Sequence, residues 1–489
     1  MPRKDLRFWQ FRLRSCPIKE ITVKTIIEEQ TPAARGALAG LALSVLLASL
    51  GTSIANVALP NLAQAFNASF QAVQWIVLAY LLAITTLIVS VGRLGDIIGR
   101  RRLLLAGICL FILASGLCGA APTLGLLIVA RALQGLGAAV MMALAMALVG
   151  ETVPKAKTGS AMGLLGTMSA SGTALGPALG GILIAGFSWR AIFLVTLPLG
   201  ILTLYLAHRH LPGDRSEPKS GRAAFDKTGT LLLTLTLASY ALAMTLGRGR
   251  FGLLNLALLS AAACGVGFFV RAEARAKSPL IRLAMFRDPA LSASLAASLL
   301  VSTVMMATLV VGPFYLSQAL GLDAALVGLV LSVGPLVVAL TSVPSGRIAD
   351  RFGVRRATTA GLAGMVVGVF ALSILPTLSG VPGYLAPIVV ITASYALFQT
   401  ANNTAVMAGV GAEQRGAISG VLNLSRNLGL ITGASVMGAV FAMASAASEI
   451  TTAHPEAVAC GMRTTFAVAA GLILVALAIG AVARRAGGR

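Results

Sequence analysis

Apolar runs of about 20 residues, each long enough to cross the hydrocarbon core of a bilayer, follow one another through nearly all of this 489-residue chain. In lipid every backbone polar group has to be satisfied within the protein, so only helices or a closed barrel can span, and runs of this length suit helices. Charged residues make up only 11% of the chain and mean hydropathy is +0.89, whereas a soluble protein carries about 25% charged residues. The sequence predicts an all-α polytopic membrane protein. Spans are expected near 37–59, 72–92, 103–121, 124–150, 158–186, 190–207, 228–246, 253–270, 290–316, 324–345, 357–377, 384–410, 418–446 and 464–483, fourteen in all.

The net charge of +22 invites a nucleic-acid reading, but the positions of the positive residues decide against it. Most lie in the N-terminal tail, in alternate loops and at the C-terminus. Only Arg190, Arg248, Arg250 and Arg463 fall on the opposite face, while Arg131 and Arg426 lie inside spans. This is the positive-inside bias, and it predicts cytoplasmic termini and no nucleic-acid partner. The first 35 residues are polar and lack the compact apolar core of a cleavable signal. Their "DLRFWQFRLR" reads as a loosely ordered basic tail, with a membrane-surface helix as the alternative. The five cysteines show no metal-ligand spacing, and "HRH" at 208–210 has no thiol or carboxylate cluster beside it. No metal and no cofactor is expected.

Two loops carry nearly the same text. "GRLGDIIGRRR" at 92–102 and "GRIADRFGVRR" at 346–356 are identical at six of eleven positions. Internal symmetry of this kind marks transporters built from two parallel halves. The first loop follows span 2 and the second follows span 10, so two extra spans separate six-span halves. The glycines permit tight connections, and Asp96 and Asp350 can cap a helix or pair with neighbouring arginines. Gly92, Arg93, Asp96, Gly99, Arg100 and Arg101 are therefore expected to form a conformational latch, mirrored by Gly346, Arg347, Asp350, Gly353 and Arg355.

The loop text resembles the signature of the major facilitator superfamily, and the span count of 6 + 2 + 6 resembles its fourteen-span drug:proton antiporter branch. The resemblance implies two six-helix bundles rocking about a central cavity. It divides the chain into a basic tail (1–35), an N-terminal bundle (36–210), loops with two inserted spans (211–289) and a C-terminal bundle (290–489). It also implies a multi-pass protein of the bacterial inner membrane that exports amphipathic small molecules in exchange for protons.

The fifth span, "GLLGTMSASGTALGPALGGILIAG" from Gly163, places Gly172, Gly176 and Gly180 on one helical face, where a neighbouring backbone can approach closely. Pro177 removes a backbone hydrogen bond and bends the helix. The spacing of Gly163, Gly172, Gly176, Pro177, Gly180 and Gly181 also resembles the antiporter signature of the family, which implies export. In span 4, "RALQGLGAA" sets Arg131 and Gln134 on one face. An arginine within a span has to face protein or water, and the segment resembles a family motif whose arginine is implicated in proton coupling. The alternative is a structural arginine bound to backbone carbonyls.

The stretch "LASLGTSIANVALP" at 47–60 carries a polar seam through Ser49, Gly51, Thr52, Ser53 and Asn56, expected to face the transport pathway. Cavity candidates in the N-half are Asn56, Gln74, Tyr80, Arg131 and Gln134. Those in the C-half are Tyr315, Gln318, Gln399, Asn402, Asn403, Asn423, Arg426 and Asn427. Each is equally readable as a helix-to-helix hydrogen bond. Where the fourteen-span branch usually has an aspartate, nine residues before the proline of "NVALP", this chain has Gly51. None of its 16 acids or three histidines falls in mid-span. A cation-binding cavity normally holds a buried carboxylate, so the expected cargo is neutral or anionic. Proton coupling would then fall to edge acids such as Asp96 or Asp226, with Arg131, or to the substrate itself. The alternatives are export of one endogenous metabolite, or facilitated transport without protons. The chain shows no clustered nucleophiles, metal ligands or paired acids near an interface and no GxxxxGK[ST] loop, so neither an enzyme nor an ATP-driven pump is expected.

Overall fold

Fourteen helices follow the apolar runs in the computed structural model, which describes residues 32–153, 158–213, 227–246, 252–276, 283–374, 380–408, 415–445 and 454–486. They are α1 (Pro32–Val57), α2 (Phe70–Ile98), α3 (Arg100–Ala120), α4 (Leu124–Thr152), α5 (Thr158–Gly186), α6 (Ala191–His210) and α7 (Lys227–Thr245). After these come α8 (Leu253–Arg275), α9 (Pro289–Phe314), α10 (Ala324–Phe352), α11 (Val354–Ser373), α12 (Gly380–Ala408), α13 (Arg415–Thr432) and α14 (Pro455–Ala486). A π-helical turn at Tyr315–Ala319 extends α9, and another at Gly433–Met437 joins α13 to a last segment, Gly438–Ala444. Among the described residues there is no strand, and thirteen helices are long and apolar enough to cross a membrane. The helix at the seventh expected span, α7, is not among them, because its apolar stretch is only Thr228–Met244.

Short polar residues start these helices by accepting from backbone N–H groups of the first turn. Ser69 caps α2 and Thr123 caps α4, each at 3.3 Å. Asp288 caps α9 at 2.9 Å and Asp323 caps α10 at 2.8 Å. The repeated loops make the same turn twice. Gly99 (φ 103°) lies between α2 and α3, and Gly353 (φ 85°) between α10 and α11. These backbone angles suit glycine and strain other residues, which accounts for the glycine at this position in both copies.

The symmetry extends to packing. Within the first six helices α1 lies against α4, α5 and α6, α4 against α2 and α3, and α3 against α6. The last six repeat this with α9 against α12, α13 and α14, α12 against α10 and α11, and α11 against α14. The two sets meet where α5 runs along α10 and where α2 crosses α13 and its π turn. Between them in sequence, α7 and α8 pack on each other, and α7 also lies on α2 and the π turn of α13. The second of this pair, α8, turns Leu253, Leu254, Leu256 and Phe268 outward, as suits a helix in contact with lipid.

Candidate functional site

The glycine ladder of α5 has a definite partner. A Cβ on Gly172 would run into the Leu46 carbonyl, one on Gly176 into Ser53 Oγ, and one on Gly180 would come within 2.7 Å of Val57 Cγ1. The ladder thus lets α5 lie directly on α1. Part of the polar seam of α1 serves the same contact: Ser49 Oγ is 2.9 Å from Ser169 Oγ, and Ser53 Oγ donates to the Gly172 carbonyl at 3.2 Å. These serines face α5, not the space between the halves that the sequence led us to expect. Hydroxyl spacing along a helix marks a polar face without saying which neighbour it meets.

The other side of the seam meets Arg131. This guanidinium is fully buried and donates through Nε to the Ile76 carbonyl (3.0 Å), through Nη1 to Gln134 Oε1 (2.6 Å) and through Nη2 to the Gly51 carbonyl (3.0 Å). Its Cζ lies 4.2 Å from the centre of the Tyr80 ring, within cation–π range. Gln134 Nε2 donates to Ser115 Oγ at 2.7 Å, and the Tyr80 hydroxyl donates to the Ala48 carbonyl at 2.7 Å. Arg131 therefore ties α1 and α2 to α4, and Gln134 adds α3. Three cavity candidates, Arg131, Gln134 and Tyr80, are joined in one network that is closed on itself.

At the end of the molecule opposite the signature loops, the halves touch through an aromatic cluster and a polar bond. Phe70 of α2 lies 4.7 Å from Phe314 and 5.4 Å from Phe441, centroid to centroid. One turn into α2, Gln74 Nε2 donates to the Ala434 carbonyl at 3.0 Å. Ala434 belongs to the π turn, where the ordinary i to i−4 pairing is interrupted and a carbonyl becomes available. Gly438 leaves the room, since a Cβ there would collide with the Gln74 amide. On the other seam α5 and α10 meet backbone to backbone: a Cβ on Gly181 would strike the Ala324 carbonyl, and one on Gly328 that of Pro177. Gln74 was legible as a polar residue, but its partner is a backbone carbonyl with no signature in sequence.

The C-half candidates divide. Tyr315 is buried and stacks on Tyr384 at 5.8 Å, both hydroxyls lacking a partner among the described residues. Sequence reasoning passed over Tyr384. Asn402 is buried, with its amide 3.4 Å from the Ser294 carbonyl. Gln318, Gln399, Asn423 and Asn427 are half-buried, whereas Asn403 and Arg426 are exposed. In the N-half Asn56 is buried, bonded through Nδ2 to the Thr52 carbonyl, and its Oδ1 is unpartnered.

In the loops, Arg101 donates to the His208 carbonyl at 2.6 Å, tying α3 to the C-terminal end of α6, where carbonyls favour a cation. Arg347, Asp350 and Arg355 are exposed. Asp226, the side chains of Arg93 and Asp96, and the surroundings of Gly92 and Gly163 lie outside what is described. The described acids stand at helix ends: Asp288 and Asp323 as caps, Glu456 in a first turn, and Glu273 and Asp350 near the ends of α8 and α10. Among the described residues no group of three or more His, Cys, Asp or Glu could hold a metal ion.

Comparison with known proteins places this architecture. Residues 41–434 match the family model described as Major Facilitator Superfamily. The chain is 32% identical over 403 residues to the multidrug resistance protein Stp of Mycobacterium tuberculosis, covering 82% of this chain and 74% of that protein. It is 27% identical over 440 residues to the riboflavin transporter RibZ of Clostridioides difficile, covering 89% and 94%. Among solved structures, a bacterial homolog of the human lysosomal transporter Spinster superposes with a TM-score of 0.66 at 16% identity, covering 93% of this chain and 98% of that one.

Proposed function

Because the chain belongs to the major facilitator superfamily, and is thus a transporter and not an enzyme, we propose that it is a proton-coupled exporter of amphipathic small molecules working by alternating access. The observation that carries this reading is the way the halves meet. Two bundles of like packing close on each other at one end through Phe70, Phe314 and Phe441, the Gln74–Ala434 bond and the Gly181–Gly328 contact. An interface confined to one end can be made and broken in a cycle, with the bundles moving as rigid bodies. Similarity to a multidrug resistance protein supports export.

In this reading the chain has fourteen spans arranged as 6 + 2 + 6, with α7 and α8 as the inserted pair and the boundaries at 35, 210 and 289. Both termini are cytoplasmic, in a bacterial inner membrane, so the closed end faces outward. The signature loops form a cytoplasmic latch. Coupling uses edge acids, Asp96 and Asp226, together with Arg131, and the cargo is neutral or anionic.

Similarity to a protein named as a riboflavin transporter favours a second reading, export of one endogenous neutral or anionic metabolite. Accumulation of cationic, neutral and anionic amphipathic compounds in cells expressing the protein, with and without a protonophore, separates the two. Protonophore-sensitive exclusion of several unrelated neutral or anionic compounds is expected. Exclusion of a single compound would favour the metabolite reading, and broad exclusion of cationic dyes would contradict the assigned cargo.

A further inference from the structure

Two arginines lie inside helices at membrane depth, and the structure gives them opposite surroundings. Arg131 is buried and bonded through all three guanidinium nitrogens. Arg426 is exposed, and among the described residues it has no hydrogen-bond, ion-pair or ring partner. It stands about 8 Å into the apolar stretch Val421–Ala444 at ~1.5 Å per residue, where an arginine turned toward acyl chains is costly.

Its neighbours on the helix fix the direction in which it leaves. Ser425 Oγ donates to the Leu295 carbonyl of α9 at 2.6 Å, and Gly429 lies against the Leu299 carbonyl, so that face of α13 meets its own half. Ala434 and Gly438 meet Gln74 of the other half. At about 100° per residue, slightly less through the π turn, Arg426 falls between these two faces. Its exposed side chain thus leaves α13 between the contacts with α9 and those with α2, about 12 Å along α13 from the Gln74–Ala434 bond at ~1.5 Å per residue.

We infer that Arg426 is the specificity-determining cation of the transport pathway, receiving the carboxylate or sulfonate of a mono-anionic amphipathic substrate. The inference rests on the export reading and narrows it. An accessible guanidinium in a confined, low-dielectric space calls for an anion, and the described acids stand at helix ends. The negative charge is left for the cargo to supply. One accessible guanidinium balances one charge, which favours mono-anions over dianions.

Three probes with a common aromatic body test this: dansylglycine (anionic), dansylamide (neutral) and dansylcadaverine (cationic). Transport is measured in proteoliposomes holding the full-length protein, and binding by dansyl fluorescence on purified protein. Arg426→Gln is expected to lower dansylglycine transport and binding by about tenfold or more, the scale of a lost charge-assisted hydrogen bond, and to change dansylamide by less than about twofold. Arg426→Lys should restore much of the anion signal, which a merely structural role would not do. Equal losses for both probes, or dansylglycine transport indifferent to position 426, would overturn the inference and leave export standing. Arg426-dependent binding of dansylglycine without transport of any probe would keep the assignment of Arg426 and remove the export reading. Neither binding nor transport of dansylglycine by the unaltered protein would remove both.

Discussion

The hydroxyl of Tyr80 occupies the space that a side chain on Gly51 would need: a Cβ at position 51 would lie 2.8 Å from that oxygen and 3.3 Å from the ring carbon bearing it. Gly51 is the position where the fourteen-span branch usually carries an aspartate. Here Tyr80 fills the site, donates to the Ala48 carbonyl and lays its ring under Arg131. Gly51→Ala is expected to destabilise the protein by about 1–3 kcal/mol through overpacking. Tyr80→Phe, which loses one hydrogen bond worth about 1 kcal/mol, should recover part of that loss in the double variant. Thermal unfolding in detergent measures the coupling, and strict additivity would show that the two residues do not compete for the site.

Arg131 tests the cost of a buried charge network. Arg131→Met keeps an apolar stem but takes this donor from the Gly51 and Ile76 carbonyls and Gln134 Oε1. Gln134 Oε1 is then buried without a donor, at a cost of about 1–3 kcal/mol, and the two carbonyls keep their own helix bonds but lose their link to α4, so the yield of monodisperse protein in size-exclusion chromatography should fall. Near-normal yield would mean that α1, α2 and α4 do not depend on this clamp.

The α5–α10 seam should be the least tolerant part of the interface. Gly328→Ala drives a methyl group into the Pro177 carbonyl and to 2.9 Å from the Gly181 Cα. Neither neighbour is a flexible side-chain end that could swing away. The expected result is loss of transport with the protein still folded, because the closed end can no longer form. Transport near the unaltered rate would show that this approach is not part of the cycle.

A reducible crosslink across the aromatic cluster should trap the closed end. With the Phe70 and Phe441 rings in contact across the halves, 5.4 Å between centroids, the pair Phe70→Cys and Phe441→Cys should be bridged by a short bis-methanethiosulfonate reagent, which stops transport and restores it on reduction. Continued transport by fully crosslinked protein would contradict alternating access through this end.

Much of this was legible in the chain, for reasons that differ from residue to residue. The repeated loops betrayed the two halves because Gly99 and Gly353 both hold positive φ angles, a backbone demand that leaves its mark as glycine. The α5 ladder was legible as a close approach, since four-residue spacing fixes a face, but its partner α1 was not. That Arg131 must face protein or water followed from the cost of an ion in lipid, whereas its full burial and its carbonyl partners on α1 and α2 carry no side-chain signal. The Gln74–Ala434 bond was hidden for the same reason, and also because a π turn leaves little trace in composition. The difference between Arg131 and Arg426, identical in residue type and both within apolar stretches, exists only in the packing.

The central claim is proton-coupled movement of an uncharged or anionic amphipath, and reconstituted vesicles with an imposed pH gradient test it most directly. With the lumen acidic, proton efflux through an antiporter should drive dansylamide inward, above its level in protein-free vesicles, and a protonophore should abolish the excess. Equilibration at the same rate and to the same level with or without the gradient would contradict the account, leaving a facilitator that uses the same fold without protons.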